Sequence, residues 1–188
     1  MLFAQPSAIP APRDAAMLPA LPHKECPLPL ARIVILGIGN ILKGDDGVGV
    51  QVVEALHRLP LPPAVECIDG GTGGPTLMLH FEGAPALIVV DCVNLNEPPG
   101  TVRVLALAEI QDAQSPARFS LHEIGLMPIL DLARQLGTLP PMVRIVAVQG
   151  HRFDLGDRLS PAVAAAVPRA VDVVLDEIRR LLDTTEPG

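Results

Sequence analysis

Large aromatic side chains are almost missing from this chain. It has four phenylalanines and neither tryptophan nor tyrosine, while hydrophobic residues fill 49% of its 188 positions. A core of this kind must be made of Val, Leu, Ile and Ala, which suits parallel strands buried on both faces by helices. Positive charge is also scarce. The formal net charge is −7 with no basic cluster, so no nucleic acid is expected as a partner. No apolar run approaches the ~18 residues of a membrane span, so no membrane association is expected. Cys26, Cys67 and Cys92 are odd in number, widely spaced and free of any CxxC. That excludes a disulfide framework and a zinc-finger site and reads as reduced thiols of a cytoplasmic protein. The chain lacks a GxxxxGK[ST] phosphate loop, a GxSxG elbow and an HExxH helix, and no cysteine stands where a nucleophile is expected.

What is present begins with a Pro/Ala-rich stretch without periodicity, residues 1–30. It has neither the continuous apolar core nor the cleavage site of a signal peptide and reads as a disordered extension. The remainder, 31–185, is long enough for one domain with a full core. Apolar runs Arg32–Leu36, Val65–Ile68, Ala86–Val90, Thr101–Ala106 and Val143–Val148 read as strands. Between them lie helical patterns. Val48, Val52, Ala55, Leu56 and Leu59 make one stripe. Pro75–His80 reads as a short helix with Pro75 at its first position. Ser120-Leu-His-Glu123 is a capping box, leading to a helix that carries Ile124, Leu126, Met127, Leu130 and Leu132 and stops at Gly137. Ser160-Pro161 opens the last helix, which Pro168 is expected to kink or split. The alternation predicts a single three-layer α/β domain, a twisted and mostly parallel sheet between helices.

Three polar features stand out against this apolar background. Gly37-Ile-Gly-Asn-Ile-Leu-Lys-Gly-Asp-Asp-Gly-Val-Gly49 joins the first strand to the first helix, where open α/β sheets place their binding sites. One acid of its pair, Asp45 or Asp46, can cap the helix, and Asp46 is expected to face the crevice. The surrounding glycines imply that something approaches the backbone closely. Asp91 follows five apolar residues, and an ionised carboxylate there needs a partner or a crevice. His122 falls in the first turn of a capped helix, where the dipole favours the neutral imidazole that binds metals. If the three converge they form an O/N site suited to a borderline divalent ion. The run Asp69-Gly-Gly-Thr-Gly-Gly74 is too glycine-rich for regular structure and reads as a turn or a flexible loop.

Together these segments, with Leu87–Val93, Ser120–Leu126 and Leu155–Pro161, resemble the hydrogenase maturation endopeptidases in order and spacing over about residues 32–183. The resemblance implies an endopeptidase that removes the C-terminal peptide of a [NiFe] hydrogenase large-subunit precursor once nickel is inserted. By position, Asp46, Asp91 and His122 would engage the nickel, which sits in the precursor. Asp69 and Thr72 would close over the substrate's tail. Gly150 stands where many members have Pro, and His151 follows it as an exposed loop residue. A monomer acting in the cytoplasm is expected. Two other readings stay open: a non-catalytic nickel-binding chaperone for the same subunit, and a nucleotide-binding α/β enzyme. Leu42 counts against the latter, because it stands where the third glycine of a dinucleotide loop belongs.

Overall fold

The apolar run after Arg32 forms strand β1 (Ile33–Ile38), in which every residue is buried. The computed structural model describes residues 32–111 and 126–183. The expectations for residues 1–30, for Cys26, for the capping box 120–123 and for His122 therefore lie outside the described residues. β1 sits between β2 (Val65–Gly71) and β3 (Ala86–Val93); β5 (Met142–Gln149) pairs β3, and β4 (Val102–Ala106) closes the edge. The order is β2-β1-β3-β5-β4. All pairings are parallel except β4 with β5.

Period-two alternation divides the sheet's side chains between two cores. Ile33, Ile35, Ile88 and Val90 face helix α1 (Val48–Leu56) and the final helix α5 (Pro161–Asp183). Val34, Leu36, Leu87 and Val89 face the other layer. That layer holds α2 (Met78–Phe81), the short α3 (Leu107–Gln111) and α4 (Leu126–Leu136). Leu36 and Leu87 are fully buried, so truncating either to Ala would cost about 2–5 kcal/mol. This is the three-layer α/β sandwich that the alternation predicts.

Several boundaries differ from the sequence reading, each for a physical reason. β2 runs on through Asp69, Gly70 and Gly71, because pairing with Gly37 and Ile38 of β1 supplies the hydrogen bonds that glycine's weak strand preference lacks. Gly70 also has to be small: a Cβ there would lie 2.8 Å from Leu36 Cδ1. β3 continues to Val93, placing Asp91 inside the strand opposite Ala147 of β5. The α3 turn has too short an apolar pattern to be read from sequence. α5 is continuous through Pro168. The amide lost at Pro168 would have bonded Ala164, whose exposed position leaves its carbonyl to water, while buried Val163, Val167, Val171 and Val174 hold both halves on the sheet. Leu132, expected in the buried stripe of α4, is 38% exposed. Gly137, at φ +72°, ends α4 as expected.

Among the described residues no helix is long and apolar enough to cross a membrane.

Candidate active site

The chain leaves β1 on one side for β2 and returns on the other as β3. The carboxyl ends of β1 and β3 therefore flank the switch point at which such sheets bind ligands. Asp46 follows β1, and Asp91 lies near the end of β3.

The β1–α1 loop is folded tightly upon itself. A 3₁₀ turn, Gly44–Gly47, leads directly into α1. Gly39, at φ +129°, brings its Cα so close to the next turn that a Cβ would lie 1.8 Å from the Asp46 carbonyl oxygen. A Cβ on Gly49 would lie 2.3 Å from Val90 O. What approaches these glycines is the chain itself: they let the loop close and let α1 start flat against β1 and β3.

Neither acid of the pair caps α1, contrary to expectation; Gly47 occupies the cap without a side-chain bond. The two acids serve different ends. Asp46, half-buried, accepts the Asn40 amide at 2.8 Å through Oδ2. The Asn40 side chain accepts the Leu42 amide at 2.9 Å, so the carboxylate is fixed within its own loop. Asp45 is fully buried and reaches across the molecule. Its Oδ2 accepts the amides of His151 (2.9 Å) and Arg152 (2.8 Å) and the Ser160 hydroxyl (2.9 Å); Oδ1 accepts the Ser160 amide at 2.5 Å. Burial alone would raise its pKa, but the bonds from Ser160, Arg152 and His151 outweigh it and hold the carboxyl below its ordinary range. Ser160, expected as the opening residue of α5, does precede it and also ties that helix start to the loop.

Asp91 is the exception in an otherwise satisfied interior. It is fully buried, and neither carboxylate oxygen has a hydrogen-bond partner among the described residues. Burial pushes its pKa well up, the charge of Asp46 adds to this, and the neighbouring Cys92 amide offsets only part. Strand alternation aims Asp91 to the same face as Leu87, Val89 and Val93, the face that α4 covers. Orphaned buried carboxylate oxygens are rare and demand a partner. Asp46 and Asp91 are hard oxygen donors of the kind that suit a divalent cation. The structure thus brings Asp46 and Asp91 into electrostatic contact, while His122 lies four positions before α4 and outside the described residues. Among the described residues no three His, Cys, Asp or Glu side chains converge.

The remaining expectations fall as follows. Asp69 is exposed and accepts the Gly71 amide at 2.9 Å, fixing its own turn. Thr72, Gly74 and Pro75 line one wall of a cleft of about 400 Å³ whose other wall is Pro128, Ile129 and Leu132 of α4. His151 is exposed, and its amide donates to Asp45. Cys92 is a buried strand residue without a disulfide, its thiol pKa raised by burial and by the nearby acids. Gly150 has no room for a Cβ, which would meet Cys92 Sγ at 2.5 Å and the Phe153 ring at 2.7 Å.

Comparison with known proteins decides the family. The model of the hydrogenase maturation protease family HycI matches residues 50–177, starting just past the Asp46 loop and spanning Asp91 and His122. The chain belongs to the hydrogenase maturation proteases. It is 36% identical over 154 residues to the hydrogenase 2 maturation protease of Escherichia coli, covering 79% of this chain and 91% of that one. To the hydrogenase expression/formation protein HoxM of Cupriavidus necator it is 35% identical over 150 residues, 79% and 74% of the two chains. Among solved structures, the hydrogenase maturating endopeptidase HybD of E. coli superposes with a TM-score of 0.69 at 34% identity, over 79% of this chain and 93% of that one. The chain is therefore a hydrolase acting in hydrogenase maturation, on a hydrogenase precursor. This favours the endopeptidase over the non-catalytic chaperone and leaves the nucleotide-binding reading without support.

Proposed function

We propose that this protein removes the C-terminal peptide of a [NiFe] hydrogenase large-subunit precursor after nickel has been inserted, and that Asp46, Asp91 and His122 engage that nickel. The observation that carries the reading is Asp91: a fully buried carboxylate with both oxygens unpartnered, beside a second acid at the switch point of the sheet. A site left short of positive charge in this way is completed by a cation arriving with the substrate.

In this reading the nickel is part of the substrate, and by polarising a nearby peptide carbonyl it would supply Lewis-acid chemistry. The protein's own residues position and gate. Asp46 is held by the Asn40 amide through one oxygen, which leaves the other for the metal. Burial and the charge of Asp46 disfavour the charged form of Asp91, and engagement of a cation favours it. His122 supplies the nitrogen donor. A precursor without nickel brings no positive charge to the buried acid, so cleavage waits for metal insertion. The cleft between Thr72–Pro75 and α4 receives the tail, with Thr72 on the loop that closes over it and Asp69 at the end of β2 just before that loop. The reaction takes place in the cytoplasm, with Cys67 and Cys92 reduced, and a single copy suffices.

The test is the intact mass of a nickel-loaded large-subunit precursor incubated with wild-type protein and with Asp46→Ala, Asp91→Ala or His122→Ala. Loss of a C-terminal peptide with wild type alone supports the assignment. Full processing by any of the three variants removes that residue from the site.

A further inference from the structure

The loop that carries Asp46 also carries two exposed apolar side chains, Ile41 (53% exposed) and Leu42 (59%), and the loop after β5 carries two more, Phe153 (44%) and Leu155 (91%). An isolated exposed leucine means little, but these four are held together. Lys43 and Gly156 form a parallel β-bridge, which sets Leu42 beside Leu155. Gly156 donates to Leu42 O and Gly44 to Gly156 O, each at 3.0 Å. The Asp45 amide donates to Arg152 O at 2.8 Å, and the Asp45 carboxylate takes the His151, Arg152 and Ser160 amides. A buried carboxylate thus fixes the conformation of a segment whose apolar side chains face water. Such rigidity lowers the ordering cost of binding.

We infer that this face, centred on Leu42 and Leu155, is the surface on which the folded body of the hydrogenase precursor docks while its tail is cleaved. The inference rests on the proposed function and adds to it a contact away from the scissile bond. Three observations commit it to a protein partner, and to this one. The rim carries both signs of charge, with Lys43 and Arg158 beside Asp157 and the Arg152–Asp154 ion pair at 3.1 Å; that is the polar border of a protein interface, not the single-signed field that suits nucleic acid or an anionic membrane. The face is continuous with the candidate site, since Leu42 bonds Asn40 and Asn40 bonds Asp46. A partner seated on Leu42 therefore lies two hydrogen bonds from the carboxylate that its nickel would meet. Finally, Leu155 is almost wholly exposed and touches no part of the core, so the fold gives no reason for leucine there.

The experiment measures initial rates of processing against the concentration of a nickel-loaded large-subunit precursor, for wild type, Leu155→Ser and Leu155→Met. The expected result is a KM raised about tenfold or more in Leu155→Ser with kcat within twofold of wild type, and a KM near wild type in Leu155→Met. A KM within twofold of wild type in Leu155→Ser overturns the docking surface while leaving the proposed function standing. Absence of processing by the wild-type chain overturns both. Light scattering that shows a wild-type dimer, dissociated by Leu155→Ser, overturns the assignment in favour of a second copy of this chain.

Discussion

The Asp45 carboxylate and Ser160, 115 residues apart, meet through two hydrogen bonds: the Ser160 amide on Oδ1 at 2.5 Å and its hydroxyl on Oδ2 at 2.9 Å. With the amides of His151 and Arg152 they make Asp45 the joint between the loop that bears the candidate site and the segment leading into the last helix.

Asp45→Ala should therefore destabilise the protein by about 3 kcal/mol or more, because it strands the buried Ser160 amide and removes the acceptor of the His151 and Arg152 amides. Ser160→Ala, which removes the hydroxyl alone, should cost about 1 kcal/mol. Urea unfolding of the two variants measures both.

The same carboxyl predicts a pH dependence. Its folded pKa is depressed below the ordinary 3.8, so its stabilisation is fully present above that value and is lost as pH falls through the lower folded pKa. The wild type should lose stability in this acid range more steeply than Asp45→Asn. Parallel thermal melts between pH 5 and pH 2 test it, and equal slopes would contradict it.

Asp91 predicts the opposite sign. Its folded pKa is raised chiefly by burial, so the neutral form's contribution is present below about 3.8 and declines as pH rises toward the folded value. Asp91→Asn, free of this penalty, should be more stable than wild type at pH 8 by about 1 kcal/mol or more, while losing precursor processing. Denaturant unfolding at pH 5 and pH 8 should show the gap widening at pH 8.

Gly39→Ala should damage both stability and activity. The new Cβ would lie 1.8 Å from the Asp46 carbonyl oxygen at a backbone φ of +129°. A loss of about 3 kcal/mol is expected from the clash and the strained backbone together. Processing should fall as well, because the displaced strand of chain is the one that holds Asp46.

The cysteines should be chemically quiet. The Cys67 thiol is pushed up to about 11, first by burial and then by Glu66, and that of buried Cys92 is pushed up further. Site-resolved mass spectrometry after brief iodoacetamide treatment at pH 7.5 should find both unmodified in the folded protein.

Much of this was legible in the residues alone. The apolar runs around Val34, Leu87 and Ile145 announce strands buried on both faces, and the acid at the end of one of them, Asp91, stands out because nothing local could satisfy it. The separate tasks of Asp45 and Asp46 were not legible. Adjacent acids before a helix read as caps, and the partners that bury Asp45 lie at His151, Arg152 and Ser160, beyond any local pattern. The glycines of the loop misdirect in a similar way. They signal close approach, and only the fold shows that the approaching groups are Asp46 O and Val90 O. Buried Glu177 was missed in part for the same reason: it pairs with Arg180 three residues on, but also, at 3.8 Å, with Arg144 of β5. The helical spacing shows which face of α5 is apolar but not that an arginine of the sheet reaches it.

In the proposed function, two acids at the switch point of the sheet make cleavage wait for a metal carried by the substrate. The most direct measurement compares one [NiFe] hydrogenase large-subunit precursor, nickel-loaded and nickel-free, by intact mass after incubation with the purified protein. Loss of a C-terminal peptide is expected only from the nickel-loaded form, and only with Asp46 intact. Equal cleavage of both forms would contradict it.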